Sequence, residues 1–507
     1  MRFVSTRGGD AAGFSDAVMR GLAADGGLFV PETPPDLRSF LPRWRGLPYR
    51  ELAAQFLALF ATDVPPAELR RCVNDAYAAP KFPEPDAPAR LVTLGSVVSG
   101  QWSVVSGDSP STDHRLSDTA ASLHVLELFH GPTLAFKDFA LQFLGQLYAR
   151  HTRATGAAVN ILGATSGDTG SAAIHGLLGV PGAHSFILYP AGRVAALQER
   201  QIACTGSPNV HPLAVAGSFD DAQRIVKSIF ADRAFTRRHA LTAVNSINIA
   251  RILAQCVYYL DAALKLGAGE TSPVEFVVPT GNFGNILAGW LLTKMGVAGV
   301  RFCVATNANA VVSDFFRDGV YRVGGVTPTL APSMDIQQAS NFERWLWWRF
   351  DGDAVRVKTA LATLREHGEW RVGTAGGAVG GTAGDASAAG GAVSPEIRPF
   401  ACDDAGIRAV IRAVRERYGY VCDPHTACGF AAVLNETAGS TATGTVAGGE
   451  KNLRRVILAT ASPAKFPEVI EEVLGIVPTD PSLEALRTRP IVRQEIPADE
   501  AAVRAAI

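Results

Sequence analysis

At 507 residues, with 47% hydrophobic and 19% charged side chains, the chain carries enough apolar material for two or three structural units rather than one core. Basic and acidic residues nearly balance to a formal net charge of -1, which removes the electrostatic argument for a polyanionic partner such as nucleic acid. No leader-like N-terminus, no uncharged apolar stretch of bilayer length and no Cys-x-x-Cys pair among the seven cysteines (Cys72, Cys204, Cys256, Cys303, Cys402, Cys422, Cys428) is visible, which argues against a membrane span, a disulfide framework and a structural zinc site, and cytoplasmic residence is expected.

From the start of the chain, Phe14, Val18 and Leu22 recur at helical spacing until Asp25-Gly26-Gly27 breaks the pattern. Helical periodicity returns through Tyr49 to Phe60 and Pro66 to Tyr77, and a proline-rich stretch from Pro80 to Pro88 marks a boundary. Residues 1–94 therefore read as a helical N-terminal unit, and residues 95–507 as a region of two α/β subdomains. In that region short runs such as Val159 to Leu162, Ser185 to Leu188 and Phe276 to Val278 alternate with longer helical stretches, which predicts parallel sheets flanked by helices. The segments 106–122, 372–393 and 437–449 break the pattern; the last two are mostly Gly, Ala, Thr, Ser and Val, too poor in side chain to offset ordering entropy, and read as surface insertions.

Four stretches carry candidate chemistry. In Glu127-Leu-Phe-His-Gly-Pro-Thr-Leu-Ala-Phe-Lys137-Asp, Lys137 follows a turn and opens a helical segment among apolar neighbours. Partial desolvation lowers an amine's pKa and favours the neutral nucleophile that Schiff-base chemistry needs. Gly163-Ala-Thr165-Ser166-Gly-Asp168-Thr169-Gly170 lies between a strand-like run and a helical one, as does Gly281-Asn282-Phe283-Gly284-Asn285. Small residues at a helix start let backbone N–H groups approach an anion, and neither loop has the spacing of a dinucleotide or Walker fingerprint. Two such loops on one parallel sheet suit a ligand with a phosphate at one end and a carboxylate at the other. In Asn245-Ser246-Ile-Asn248-Ile-Ala-Arg251, Asn248 and Arg251 stand three apart and share a helix face, offering an amide and a guanidinium to a second phosphate. The run Leu458-Ala-Thr460-Ala-Ser462-Pro-Ala-Lys465 ends a strand-like stretch in hydroxyls.

Together these stretches resemble the threonine synthase family in its longer form, within the fold-type II pyridoxal-phosphate (PLP) enzymes. The resemblance also takes in Val4-Ser-Thr-Arg-Gly8, Gly21 to Pro31, Pro332-Ser-Met-Asp335, Ser340-Asn-Phe-Glu343-Arg and Asp423-Pro-His425-Thr, and so runs in order along nearly the whole chain. It implies a tryptophan synthase β-like α/β fold with a helical N-terminal domain. It implies that Lys137 carries PLP as a Schiff base, that Gly281, Asn282, Phe283, Gly284 and Asn285 hold the cofactor phosphate, and that Thr460 lies near the pyridine nitrogen. Thr165, Ser166, Asp168 and Thr169 would grip the substrate carboxylate, with Asn245, Ser246 and Arg251 toward the substrate phosphate. The implied reaction converts O-phospho-L-homoserine and water to L-threonine and phosphate; no metal is implied, and monomer and homodimer stay open. Two rival readings remain at this stage: another fold-type II enzyme such as a serine or threonine dehydratase, and a non-catalytic binder of a phosphorylated ligand.

Overall fold

The computed structural model describes residues 1–98, 101–104, 122–165, 167–243, 246–269, 272–373, 393–439 and 453–507. The segments 106–122, 372–393 and 437–449 therefore fall almost wholly outside the described residues, as do Ser166 and Asn245.

Two sheets organise the chain. The larger has seven strands in the order Ile397–Ala401, Val300–Thr306, Val274–Pro279, Arg454–Ala459, Ser122–Glu127, Arg90–Val98 and Gln101–Val104. The first five run parallel, and the last two form an antiparallel edge. The second has five parallel strands: Leu241–Ala243, Val159–Ala164, Ala183–Pro190, Val210–Ala216 and Gln494–Pro497. Val274–Pro279 and Ser122–Glu127 are buried at every position, because helices cover both faces of such a sheet and leave no outward-facing side for polar residues. This is the α/β architecture expected from the alternating runs.

The N-terminal helices Tyr49–Ala58 and Pro66–Ala76 are present, accompanied by a small antiparallel sheet of Ala11–Ala12, Phe3–Ser5 and Phe29–Pro31. Strands of two or three residues are too short for an alternation signal, so periodicity does not reveal them. These helices dock on the rest of the chain through an aromatic cluster in which Tyr49, Tyr77 and Phe82 pack on Phe139, and Phe139 packs on Tyr258. The Tyr77 hydroxyl donates to the Phe139 carbonyl at 3.0 Å, fixing the helix Lys137–Thr155 two residues from its first side chain.

That helix crosses Asp168–Leu177 without side chains between them. A Cβ on Gly145 would lie 1.8 Å from the Gly176 carbonyl oxygen, and one on Gly176 would lie 2.4 Å from the Leu141 carbonyl oxygen. The close crossing brings the N-termini of two helices, and with them Lys137 and Asp168, to one place. All seven cysteines are free and buried, and among the described residues no helix is long and apolar enough to cross a membrane.

Candidate active site

The site gathers at the carboxyl ends of the parallel strands, where loops must leave the sheet and where open α/β folds bind ligands. A cavity there is lined by Lys137, Thr169, Ser246, Arg251, residues Gly281 to Asn285, Ser333, His425 and Thr460, among others. Lys137 is set there by backbone pairing: the Phe136 N–H donates to the Thr460 carbonyl at 2.9 Å, and the Ser462 N–H donates to the Leu134 carbonyl at 3.0 Å. Thr460, directly after Arg454–Ala459, is thereby locked beside the segment that carries the lysine.

Lys137 Nζ lies 3.3 Å from Asp168 Oδ2. The same carboxylate receives Ser333 Oγ at 2.9 Å, Gln198 Nε2 at 3.3 Å and Lys465 Nζ at 2.7 Å. Burial opposes ionisation of Asp168, but Lys465 and Lys137 outweigh it and hold the carboxyl well below its usual range. Burial pushes the Lys137 ammonium down; Asp168 pulls it back, while Lys465 and Arg251 push it further down, and the net direction is downward. A neutral amine at Lys137 is thus favoured relative to a free lysine, as nucleophilic chemistry at that atom needs.

The Gly281 loop follows the buried strand Val274–Pro279 and leads into the helix Gly284–Lys294, which starts without a side-chain cap. Gly281 is pressed against the turn Pro332–Met334, where a Cβ would sit 2.8 Å from the Ser333 carbonyl oxygen. Phe283 adopts a left-handed conformation with φ of 61° while its ring stacks on Phe316 in the core, so it serves the loop through its backbone. Asn285 accepts hydrogen bonds at Oδ1 from Tyr258 at 2.5 Å and Tyr259 at 2.9 Å. Its Nδ2 is buried and finds no acceptor among the described residues. Such an unmet donor is costly unless a ligand atom satisfies it, and a helix start adds positive potential. The residues therefore fit PLP: a desolvated amine, a phosphate cradle with an unmet donor, and a cavity between them.

The other sequence candidates divide. Ser246, Thr169 and Arg251 line the cavity, and burial pushes the Arg251 guanidinium down to about 10. Thr165 does not reach out to a ligand: its Oγ1 accepts from Gly167 and Gly170 N–H at 3.0 and 2.9 Å and shapes its own loop. Asp168, expected beside a substrate carboxylate, is itself an anion engaged with two lysines. Asn248 does not share a phosphate site with Arg251; it caps the helix Ile249–Lys265 and donates to the Val18 carbonyl at 2.9 Å. Lys465 is buried behind Asp168 and donates to the Thr133 carbonyl at 2.7 Å.

Two wall residues, Ser333 and His425, carry no role in the sequence reading beyond their motifs. His425 Nε2 accepts the Ser333 N–H at 3.1 Å, so the ring proton belongs to Nδ1, which faces Asp423 Oδ2 at 2.7 Å. The ring is thus oriented from behind by the buried Asp423 carboxylate.

Comparison with known proteins agrees with this geometry. The family described as "Pyridoxal-phosphate dependent enzyme" matches residues 114–399, flanked by "Threonine synthase N terminus" over 2–77 and "Threonine synthase, C-terminal" over 426–507. The chain belongs to the PLP-dependent threonine synthase family. The threonine synthase of Pseudomonas aeruginosa is 39% identical over 496 residues, covering 95% of this chain and 92% of that one. That of Methylobacillus glycogenes is 37% identical over 518 residues, covering 99% and 98%. Among solved structures, PLP-bound threonine synthase from Brucella melitensis superposes with a TM-score of 0.83 at 37% identity, over 100% of this chain and 99% of that chain. The yeast threonine synthase gives 0.83 at 33% identity, over 100% and 97%. Family membership fixes the fold type, the lyase class and the cofactor.

Proposed function

We propose that this chain converts O-phospho-L-homoserine and water to L-threonine and phosphate by elimination of the γ-phosphate and addition of water at Cβ. The observation that carries the reading is the convergence of Lys137, the Gly281 to Asn285 cradle and the buried Arg251 on one cavity. Bound PLP supplies the electron sink that acidifies the Cα proton of an amino acid. Lys137, Gly281, Asn282, Gly284, Asn285 and the backbone of Phe283 would hold that group, with Thr460 toward its ring nitrogen, where a neutral hydroxyl in place of a carboxylate would moderate the sink.

Lys137 Nζ is the base, since its neutral form is favoured and it faces the cavity. Thr169 and the helix start at Asp168 receive the substrate carboxylate, while Arg251 and Ser246 face the phosphate that leaves. A fixed guanidinium at that point stabilises charge developing on the leaving oxygen. Asn245 and Ser166 belong to the same substrate-facing loops by sequence position. The dehydratase reading has no need of a second cationic anion site, which Arg251 supplies, and the non-catalytic reading leaves the depressed Lys137 amine unused. We further propose cytoplasmic residence, which the free buried cysteines suit, no nucleic-acid partner, in line with the net charge of -1, and a division between the N-terminal unit and the sheets that falls before the strand Arg90–Val98 rather than at residue 94, because that strand pairs with Ser122–Glu127 in the larger sheet.

The test is phosphate release from O-phosphohomoserine by the purified chain, with serine as the competing substrate. Lys137→Ala should lose activity by about 10²–10⁴-fold. Release of ammonia from serine with no phosphate from O-phosphohomoserine would return the reading to a dehydratase.

A further inference from the structure

Lys465 is not part of the cavity wall, yet it is a buried ammonium with a fully determined environment. Its side chain is 1% exposed and its Nζ is held by Asp168 Oδ1 at 2.7 Å and the Thr133 carbonyl at 2.7 Å. The 3-10 turn Pro463–Lys465 that presents it is capped by the Ser462 side chain, whose backbone N–H is tied to Leu134 in the strip that places Lys137. One carboxylate, Asp168, is thus shared between two amines, one oxygen facing Lys465 and the other facing Lys137 at 3.3 Å.

We infer that Lys465 is a positioning residue: it holds Asp168 in register and supplies it with a second counter-charge, so that Lys137 can give up its own charge without leaving a buried carboxylate unpaired. The inference rests on the reading of Lys137 as the cofactor lysine.

A carboxylate whose single counter-ion was Lys137 would resist every step in which that amine turns neutral, because an unpaired buried anion is strongly disfavoured. The second amine removes the conflict. Ser333 Oγ and Gln198 Nε2 complete the acceptor sites of Asp168, which keeps the carboxylate from following Lys137 when that side chain moves. The charged and titratable groups around the pair are few: Arg251 acts on Lys137, His425 acts on Asp168, and the buried Asp138 and His175 lie in the field of Lys465. Arg251 and His425 come from other helices and do not touch the Lys465 ammonium, so removing Lys465 changes one charge in a fixed surround.

The test is the titration midpoint of the Lys137 amine in the full chain freed of PLP, read by competitive labelling with acetic anhydride across pH and mass spectrometry of the Lys137 peptide. Lys465→Met should raise that midpoint by about one pH unit or more, since an unshared carboxylate favours the charged amine. Lys465→Gln, which keeps hydrogen-bond donors for Asp168 and Thr133, should do the same if the Met variant does not fold, and Lys465→Arg should return the midpoint toward that of the unmodified chain. An unchanged midpoint in a folded Lys465→Met or Lys465→Gln chain, or failure of both variants to fold, overturns the inference and leaves Lys465 a core-stabilising residue. PLP uptake by the unmodified chain, followed by its visible absorbance, separately checks the proposed function. If uptake fails there, that reading fails while the labelling still reports on the three side chains.

Discussion

Gly145→Ala is the sharpest perturbation of how the fold sets the site. The added methyl would sit 1.8 Å from the Gly176 carbonyl oxygen, and relief to an ordinary contact of about 3.5 Å demands that the two helices part by about 1.7 Å. Both helices begin at the site, so the displacement reaches the 3.3 Å contact between Lys137 and Asp168. Overpacking of this kind costs about 1–3 kcal/mol, and a shift of about 1 Å at reacting groups costs about 10²-fold in rate. Thermal unfolding by circular dichroism and phosphate release measured on the same preparation check both figures. Gly325→Ala, at an ordinary backbone conformation with no atom within 4 Å of the added methyl, is the control and should stay within about 0.5 kcal/mol. A Gly145→Ala chain with unchanged melting and unchanged turnover would refute the backbone-to-backbone crossing as the device that aligns the two side chains.

Asn285→Asp keeps the acceptor for Tyr258 and Tyr259 but replaces the unmet donor with a negative charge; PLP affinity, followed by absorbance, should fall by about 10-fold or more. Asn341 donates from Nδ2 to the Ser246 carbonyl at 3.0 Å and the Asn282 carbonyl at 3.3 Å and accepts from buried Arg344 at 2.6 Å. Asn341→Ala should therefore cost about 1–3 kcal/mol of stability and weaken PLP binding with it, measured by melting and by cofactor titration. Burial, with help from Arg454, pushes the His124 imidazole down from 6.5 to about 4. The folded state thus holds it neutral while the unfolded chain takes up a proton, so stability present above the unfolded value is lost as pH falls through the folded one, by up to about 3 kcal/mol. His124→Gln should flatten that part of an acid-unfolding curve; an identical curve would show that other groups govern acid sensitivity.

The parts of the site visible in the sequence are those whose chemistry is local. Lys137 stands out because a turn, an apolar surround and a helix start lie within a few residues of it, and the Gly281 loop because strand, glycines and helix follow one another directly. What depends on distant partners is not visible. Thr165 and Asp168 read as ligand-gripping residues from their glycine loop and the family resemblance, yet Thr165 turns to Gly167 and Gly170 of its own loop, and what faces Asp168 is decided by Gln198, Ser333 and Lys465, supplied by three other parts of the chain. Asn248 shares a helix face with Arg251 in spacing, but its amide is drawn to Val18 because the capping position turns it away from the cavity. The parallel sheets are legible because strands such as Val274–Pro279 are apolar runs buried at every position, whereas strands such as Ala11–Ala12 lack the length to show a period.

The strand Gln494–Pro497 pairs with Val210–Ala216 and caps one side of the five-stranded sheet. Between them in the chain lie all of the larger sheet's central strands except Ser122–Glu127. During vectorial synthesis, Val210–Ala216 must wait with an open hydrogen-bonding rim until its neighbour has left the ribosome, and such rims recruit foreign strands. Expression yield should accordingly respond more sharply to chaperone supply or temperature than the finished protein's thermal resistance would suggest.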